Sequence, residues 1–365
     1  MDWMMDNGIL VEYLDFSNLF YPNYEFTDKI EKDYTININS YKEFKVYLND
    51  QNKDKTLFIS IVTFEWRVFR LFRILTQNNC KLAVFGRGMI PLPSVTSGTK
   101  IKKLINLFSL KKIDAFLKNR ISYFGKKYGW IKRYDVIFLT GIKALSPLGV
   151  GFRLDYEKAK IFDVNTADYD NFLEFNNIAS FTAPYAIFLD ENLPSHPDTK
   201  LFNIDTIEAN DYYPELNAFF DKLERDFRVK IIIAAHPKAI NYENSNPFDG
   251  REIYFNKVNE LIANCDFVIA HDSTSIGYAV LHMKPILSIT SLKLKQTLPA
   301  NHECTISFSK FLNSCLIYFD NYNRNGIYLN IDKEKYNSYK FTYLTTQKTQ
   351  NTLTKTVFIE SLKQV

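Results

Sequence analysis

Cysteine is scarce in this chain of 365 residues, and its four cysteines form no Cys-x-x-Cys pair. Their wide spacing argues against a structural zinc site and against a disulfide framework. No stretch approaches the roughly 20 apolar residues that cross a bilayer. The first residues carry aspartate and no lysine or arginine, unlike the basic start of a secretory signal. These absences predict a protein of the reducing cytoplasm.

Three nucleotide- and acyl-handling motifs are also missing. No Gly-x-Gly-x-x-Gly follows a predicted strand, no Gly-x-x-x-x-Gly-Lys-[Ser/Thr] loop occurs, and no Gly-x-Ser-x-Gly elbow occurs. The sequence therefore disfavours a dinucleotide oxidoreductase, a P-loop enzyme and an α/β-hydrolase.

Short apolar runs alternate with amphipathic segments of helical period. The runs are rich in Ile, Val, Phe and Leu, which is typical of strands buried in a parallel sheet. Strand and helix in repetition predict an α/β fold, and the length favours two domains, because single cores rarely exceed about 250–300 residues. We place the domains at 1–180 and 181–345, with a tail or helix at 346–365 that could return to the first domain. The predicted strands are Ile9–Leu14, Leu57–Phe64, Lys81–Phe85, Asp135–Thr140, Lys160–Val164, Ala186–Leu189, Lys230–Ala234, Phe267–Ala270 and Pro285–Ile289.

A histidine follows the predicted strand Lys230–Ala234, in the run Ala-Ala-His236-Pro237-Lys238. Ligands of open α/β sheets bind outside the carboxyl ends of the strands. A histidine at that place can donate a hydrogen bond to a phosphate or protonate a leaving group, or it can be an ordinary capping or core residue. The sequence leaves both interpretations open.

A hydroxyl-rich turn, Ser273-Thr274-Ser275, follows the predicted strand Phe267–Ala270 and precedes a predicted helix. Free backbone N–H groups and the positive end of the helix dipole favour an anion at such a turn, although serine and threonine also serve there as plain N-caps. Asp272 precedes the hydroxyls, and its carboxylate would repel a phosphate. Because both motifs end strands of one predicted sheet, we expect them to face one ligand.

Together with the later Met283-Lys284-Pro285-Ile286, these motifs resemble the C-terminal domain of bacterial GT-B glycosyltransferases. Over residues 186–290 the chain is most similar to the sialyltransferases and Kdo transferases that use CMP-activated acidic sugars. The resemblance implies two Rossmann-like domains with parallel sheets facing a central cleft, and transfer without a metal ion or a resident cofactor. It also implies that the donor phosphate is held by His236, Pro237, Lys238, Ser273, Thr274 and Ser275.

Glycosyl transfer needs a base near the acceptor hydroxyl. Asp190 and Glu191 follow the predicted strand Ala186–Leu189 and are similar to the paired acids of these families, except that Asn192 stands where those families have glycine. Asp190 is the first candidate for the base, and Glu65, after another predicted strand, is the second. The candidates on the acceptor side are Arg87, Asp168 and Asp170.

The segment Lys100–Arg133 concentrates positive charge, with nine lysines and two arginines against one aspartate. These cations alternate with Ile, Leu and Phe, which is typical of a basic amphipathic helix at a membrane surface and equally of an ordinary helix with a cationic outer face. No nucleic-acid motif accompanies the segment, so we expect no nucleic-acid partner. We expect peripheral contact with the anionic inner face of the plasma membrane, where lipid-linked acceptors lie.

These observations predict a glycosyltransferase of bacterial surface polysaccharide synthesis, acting on capsule or O-antigen. It would transfer a sugar, expected to be acidic and CMP-linked, to a glycan or lipid-linked acceptor, with His236 assisting departure of the phosphate. Two alternatives stay open. One is a CDP-glycerol-type phosphopolyol transferase, because teichoic-acid polymerases carry similar His-Pro segments. The other is a non-enzymatic α/β protein that binds a nucleotide or a glycan.

Overall fold

The structure is a computed structural model that describes residues 2–24, 32–86, 90–93, 110–141, 149–176, 184–196, 199 and 205–364. The chain divides into two compact units. Unit 1 comprises Met1–Arg87, Thr96–Val164 and Thr352–Val365, and unit 2 comprises Gly88–Val95 and Asn165–Asn351. The chain therefore passes into unit 2 at Asn165, ahead of the predicted division at 180/181, and passes back into unit 1 at Thr352.

Twelve strands lie in the described part of the chain, and all of their pairings are parallel. They are β1 Tyr13–Asp15, β2 Thr35–Asn37, β3 Leu57–Ser60, β4 Lys81–Gly86, β5 Val136–Thr140, β6 Lys160–Val164, β7 Tyr185–Leu189, β8 Lys230–Ala234, β9 Ile253–Tyr254, β10 Phe267–Ala270, β11 Ile286–Thr290 and β12 Cys315–Tyr318.

Fourteen α-helices are described. They are α1 Asp2–Met5, α2 Ser17–Phe20, α3 Tyr41–Asp50, α4 Phe69–Gln77, α5 Leu110–Lys127, α6 Phe152–Tyr156, α7 Ala167–Leu173, α8 Ala209–Phe227, α9 Val258–Asn264, α10 Ile276–Leu281, α11 Leu292–Thr297, α12 Pro299–Leu312, α13 Lys333–Tyr339 and α14 Thr354–Leu362. Shorter 3₁₀ turns occur at Trp66–Val68, Ile240–Glu243, Phe319–Asn321 and Arg324–Gly326, and a π-helical turn occurs at Lys340–Leu344.

The main sheet of unit 1 has the order β3-β4-β5-β6, and β1 and β2 form a separate pair. Strand β5 is buried along its whole length, which accounts for its unbroken apolar run. Helix α14 packs Phe358 against Phe138, with ring centroids 5.1 Å apart, and against Phe85, with centroids 6.1 Å apart. A helix from the end of the chain thereby completes a core whose other residues precede Asn165.

The sheet of unit 2 has the order β12-β11-β10-β7-β8-β9. Starting from β7, the chain adds β8 and β9 on one side and then β10, β11 and β12 on the other. This is the strand order of the doubly wound dinucleotide-binding fold, in which the reversal opens a crevice at the carboxyl edge of the sheet. Here the reversal lies between β7 and β10, where Ile187 pairs with Val268 and every residue of both strands is buried.

Two α/β units built on parallel sheets confirm the predicted fold class. Strands β6, β8 and β10 have the predicted bounds, because a short run rich in Ile, Val and Phe is a local pattern that the sequence shows directly. Strands β2, β9 and β12 were not predicted. Strand β9 has only two residues, which is too short to show a pattern, whereas β12 is the apolar run Cys-Leu-Ile-Tyr and could have been predicted from it. The cleft that the resemblance implies between the two sheets remains a prediction.

Candidate functional site

Three loops lie side by side at the reversal of strand order in unit 2. The loop after β7 carries Asp190 and Glu191, the loop after β8 carries His236, and the loop after β10 carries Asp272 and Ser273. Strand β7 lies between the other two, so the acids separate the His-Pro loop from the hydroxyl-rich turn. Because neighbouring strands are about 4.8 Å apart, β8 and β10 lie about 10 Å apart. A ligand that contacts both motifs must therefore cross the acids between them.

Asp190 is enclosed, with 4% of its surface exposed. Its Oδ1 accepts a hydrogen bond from the backbone N–H of Asn192 at 3.1 Å, whereas Oδ2 is buried with no hydrogen-bond partner among the described residues. Burial raises the pKa of this carboxyl to about 6, although the Asn192 N–H and the Tyr242 hydroxyl favour its charged form. Asp190 is therefore a carboxylate at neutral pH, and a more basic one than a solvated aspartate. A hydroxyl can reach Oδ2 only if the enclosing residues move.

Glu191 and Asp272 form a carboxyl pair at the same edge. Their side chains hydrogen-bond to each other, which requires a proton on one of the two groups. Burial and the charge of Asp272 raise the pKa of Glu191 well above its ordinary value, while burial raises the pKa of Asp272 to about 6. Glu191 thus holds its proton more tightly than Asp272 does, so Glu191 is the donor of the pair and Asp272 the acceptor. The Asn301 amide nitrogen lies 3.4 Å from both Asp272 oxygens.

We call Asp190, Glu191 and Asp272 the acid cluster. Within the described ranges, no lysine or arginine forms an ion pair with any of these carboxyls. Burying acids without a cation destabilises a fold. Strongly raised carboxyl pKa values are for this reason more common at functional sites than in ordinary cores.

Asn192 fixes the turn that follows the two acids. Its φ of 50° lies in the left-handed region, which asparagine adopts more readily than most residues other than glycine. Asn192, which stands where the families of the sequence resemblance have glycine, therefore has the backbone conformation that glycine favours. Its Oδ1 accepts a hydrogen bond from the Tyr242 hydroxyl at 3.3 Å, and this hydroxyl lies 2.8 Å from that of Tyr213.

His236 is half-buried, and its two ring nitrogens have different roles. Its Nδ1 accepts a hydrogen bond from the backbone N–H of Lys238 at 3.1 Å. The proton of the neutral ring is therefore on Nε2, which is the form that can donate a hydrogen bond to an anion. The His196 ring lies edge-on to the His236 ring, with centroids 4.8 Å apart. The backbone N–H of His236 also favours the charged form of Asp190, so these two predicted site residues are neighbours.

One hydroxyl of the hydroxyl-rich turn accepts a hydrogen bond from the backbone of the same turn. Ser273 Oγ accepts a hydrogen bond from the Ser275 N–H at 3.3 Å, as a local cap does, whereas Thr274 is exposed. His271, just before it, belongs to the core: its Nδ1 donates to the Ile289 carbonyl at 2.7 Å, and its Nε2 accepts from the Tyr212 hydroxyl at 2.8 Å. Burial lowers the pKa of His271 to about 4, so this ring stays neutral.

Glu65 and Arg87, two candidates from the first half of the chain, lie apart from this cluster in the sequence. Glu65 comes five residues after β3 ends at Ser60 and pairs with Arg67 at 2.9 Å, with both side chains well exposed. It lies in unit 1. Arg87 lies outside the described residues.

Asp168 and Asp170 belong to helix α7 of unit 2, and not to the N-terminal domain in which we expected them. Asp168 is half-buried beside the Tyr278 hydroxyl, and loss of solvation raises the pKa of its carboxyl. Asp170 accepts a hydrogen bond from the Asn165 amide at 2.9 Å. The correction follows from the division of the chain, which comes before α7 and not after it.

Sequence reasoning missed part of this site. It noted Asp272 only as a group that repels phosphate, although Asp272 follows β10 much as Asp190 follows β7. The position of Asp272 just after a predicted strand was the signal that could have identified it as a site residue. Tyr242 and Asn301 gave no signal, because Tyr242 lies in a segment with loop composition and Asn301 in the first turn of α12.

Two further observations limit the chemistry of the described residues. No group of three or more His, Cys, Asp or Glu side chains among them is arranged to hold a metal ion. None of their helices is both long enough and apolar enough to cross a membrane.

Neither a protein-family model nor a curated protein sequence matches this chain. Among solved structures, the UDP-GlcNAc 2-epimerase of Methanocaldococcus jannaschii is similar over 91% of this chain and 86% of its own, with 13% identity and a TM-score of 0.42.

The E. coli heptosyltransferase WaaC with ADP is similar over 72% of this chain and 92% of its own, with 12% identity and a TM-score of 0.31. The spinosyn rhamnosyltransferase SpnG with thymidine diphosphate is similar over 88% and 72%, with 10% identity and a TM-score of 0.37. These similarities are too low to transfer a function, so the description of the fold rests on the two parallel sheets of this chain.

Proposed function

We propose that this chain is a glycosyltransferase that binds a nucleotide-activated sugar at the carboxyl edge of the unit 2 sheet. One observation carries the proposal: a histidine loop, a cluster of three acids and a hydroxyl-rich turn follow three adjacent strands at the reversal of strand order, with Asp190 buried and the other two acids half-buried. Open parallel sheets bind their ligands at this place. The finer assignment is an acidic sugar on a CMP donor, transferred to a glycan or lipid-linked acceptor of a surface polysaccharide.

His236 and Lys238 are the proposed contacts for the donor phosphate. The proton on His236 Nε2 offers a neutral hydrogen bond, and the Lys238 side chain offers a positive charge. The leaving phosphate gains negative charge as the glycosidic bond breaks, so a proton donor and a cation stabilise the transition state more than the ground state. Thr274 and Ser275, at the other end of the site, would contact the same ligand.

Asp190 is the proposed base. Its pKa of about 6 is close to neutral pH, where a general base is both ionised and usefully basic, and its Oδ2 has no partner among the described residues. Glu65, in contrast, is an exposed carboxylate paired with Arg67. Because the pKa of Glu191 is raised well above its ordinary value, this carboxyl favours its neutral form, which limits the negative charge that an anionic donor would meet.

The test is a thermal-shift series with CMP, CDP, UDP and ADP, followed by assays of donor hydrolysis and sugar transfer. A nucleotide that binds only the folded chain raises its melting temperature, and we expect CMP to give the largest shift. His236→Ala should lose turnover by about 10²–10⁴-fold with the fold intact. The matched control is His282→Gln, because His282 bonds Asn259 at the far end of α10 and should be silent.

In the same assay Asp190→Asn should abolish transfer while nucleotide binding persists, because a base acts on the acceptor. Loss of transfer in Glu65→Gln instead would move the base to unit 1. Release of CMP from CDP-glycerol alone would support a phosphopolyol transferase. No shift with any nucleotide, or full turnover of His236→Ala, would contradict the proposal.

A further inference from the structure

Helix α5 of unit 1 presents an apolar stripe to solvent. Its packed side carries Ser122, Gly125 and Lys126, all buried. Its opposite side carries Leu117, which is 54% exposed, and Phe124, which is 39% exposed. Helices at a protein surface ordinarily bury their apolar stripe and expose their charges. In α5 a lysine is buried and large apolar side chains are left outside.

The packing of the buried side fixes this orientation. A Cβ on Gly125 would lie 2.8 Å from Phe69 Cε2, so the helix lies closely against its neighbour. The buried Lys126 ammonium pairs with Asp155 and lies 4.3 Å from the centroid of the Phe64 ring. A rotation that buried the apolar stripe would break this ion pair and push larger side chains into the space that only glycine fits.

The exposed apolar surface continues past the end of the helix. At 100° per residue, Leu117, Ile121 and Phe124 of α5 and Tyr128 just after it lie within an arc of about 60° around the helix axis. Trp130 follows and is 53% exposed, while its carbonyl accepts a hydrogen bond from Arg73 at 2.6 Å. We call this surface the outer face of α5. Its members are Phe116, Leu117, Arg120, Ile121, Phe124, Lys127, Tyr128 and Trp130.

Two members of the outer face are cations that lie beside its aromatic rings. The Arg120 guanidinium lies 5.2 Å from the centroid of the Phe116 ring, and the Lys127 ammonium lies 5.8 Å from that of Tyr128. Within the described residues neither cation has an acidic partner, whereas Asp114 is paired with Lys118. The outer face therefore combines large apolar side chains with uncompensated positive charge.

We propose that the outer face of α5 docks on an anionic membrane surface. Tryptophan and tyrosine prefer the membrane interface, aliphatic and phenylalanine side chains insert just below the headgroups, and lysine and arginine attract anionic lipids. The proposal stands independently of the site in unit 2.

The structure also reduces the number of cations in the segment Lys100–Arg133 that can contact lipid. Lys126 is buried in its pair with Asp155, and Lys132 pairs with Asp135 at 2.9 Å, so neither is available to lipid. Residues 100–109 lie outside the described residues. Docking is therefore assigned to exposed side chains of α5 and the turn after it, and not to the whole positive charge of the segment.

The experiment uses the full chain and two kinds of vesicle, pure phosphatidylcholine and phosphatidylcholine mixed with phosphatidylglycerol. Co-sedimentation should detect binding to the anionic vesicles only, weakening with salt because exposed charges are screened beyond about 10 Å at 0.1 M. Ile121→Ser with Phe124→Ser, and separately Arg120→Glu with Lys127→Glu, should each reduce binding on the order of tenfold or more. Trp130 emission should shift to the blue with anionic vesicles, and Trp130→Phe should remove that shift.

The matched controls lie on α3 of the same unit. Val46→Ser removes an exposed apolar side chain, and Lys42→Glu with Lys45→Glu reverses two exposed cations. These variants should bind anionic vesicles much like the unmodified chain. Equal losses in the α3 and α5 variants, or equal binding to neutral vesicles, would overturn the proposal. So would a chain that self-associates in solution through α5 and whose α5 variants become monomeric without changing vesicle binding, because the occupant would then be a second copy.

Discussion

Both units bury carboxyl groups, but they surround them differently. In unit 1, Asp155 is fully buried, pairs with Lys126 and also accepts the backbone N–H of Tyr134 at 3.2 Å. In unit 2, the acid cluster has no cation among the described residues and relies on a shared proton and on hydrogen bonds. Neither arrangement is inexpensive in free energy, because both remove charge from water.

The difference separates two reasons for burying an acid. The partners of Asp155 complete its hydrogen bonding and fix α5 against α6, so its purpose is structural. The acid cluster leaves Asp190 Oδ2 unpartnered and lies where open sheets bind ligands. A buried acid with an unused lone pair at a ligand edge is more useful for chemistry than for stability.

The largest expected effect is in unit 1. Lys126→Met leaves Asp155 buried without its cation, and breaking one side of such a pair costs about 3–5 kcal/mol of unfolding free energy. Urea denaturation measures this loss. The control is the exposed neighbour, Lys127→Met, which should change stability by no more than about 0.5 kcal/mol. Similar stability of the two variants would mean that the buried pair is not what holds Asp155.

In unit 2 we expect the removal of a buried charge to raise the free energy of unfolding and not to lower it. The folded pKa of Asp272, about 6, lies above its ordinary value of 3.8. The folded chain thus holds this proton more tightly, and the associated stability is present below about pH 4 and lost as pH rises through about 6. Asp272→Asn removes the charge and should stabilise the chain at pH 7.5 by a few kcal/mol at most.

The same variant should give no such gain at pH 4, where the carboxyl is already neutral. Urea denaturation at both pH values tests the difference, and the exposed Asp266→Asn serves as the control. Destabilisation of Asp272→Asn at pH 7.5 would show that the acid cluster is stabilising like Asp155, and the contrast between the units would then fail.

A feature of the fold or of the site could be predicted from the sequence only when the residues that produce it are close together in the chain. Strands β6, β8 and β10 were predicted with their bounds, because an apolar run is a local pattern. The strand order was not predictable, because nothing local indicates that β7 lies between β8 and β10. Asp190 and His236 could be proposed from their positions after strands. The partnership of Glu191 with Asp272 could not, because it joins residues that are far apart in the chain.

The smallest expected effect concerns the turn after β7. Asn192 has a φ of 50°, which alanine adopts at a cost of roughly 1–2 kcal/mol, whereas glycine adopts it freely. Asn192→Ala should therefore be less stable than Asn192→Gly, since both lose the contact with Tyr242 and only alanine adds backbone strain. Thermal unfolding of the two variants measures the difference. Equal stability would indicate that the amide contact, and not the backbone conformation, keeps asparagine at this position.

The return of the chain to unit 1 has a consequence for protein synthesis. Nearly all of unit 2 is the continuous stretch Asn165–Asn351, so its sheet can close as soon as that stretch has left the ribosome. Unit 1 lacks the Phe358 ring against Phe138 until α14 emerges. Domains commonly fold in the order in which they are made, but here the half that is translated first is the last to finish folding. Until then, the nascent chain carries an open apolar sheet face for a chaperone to cover.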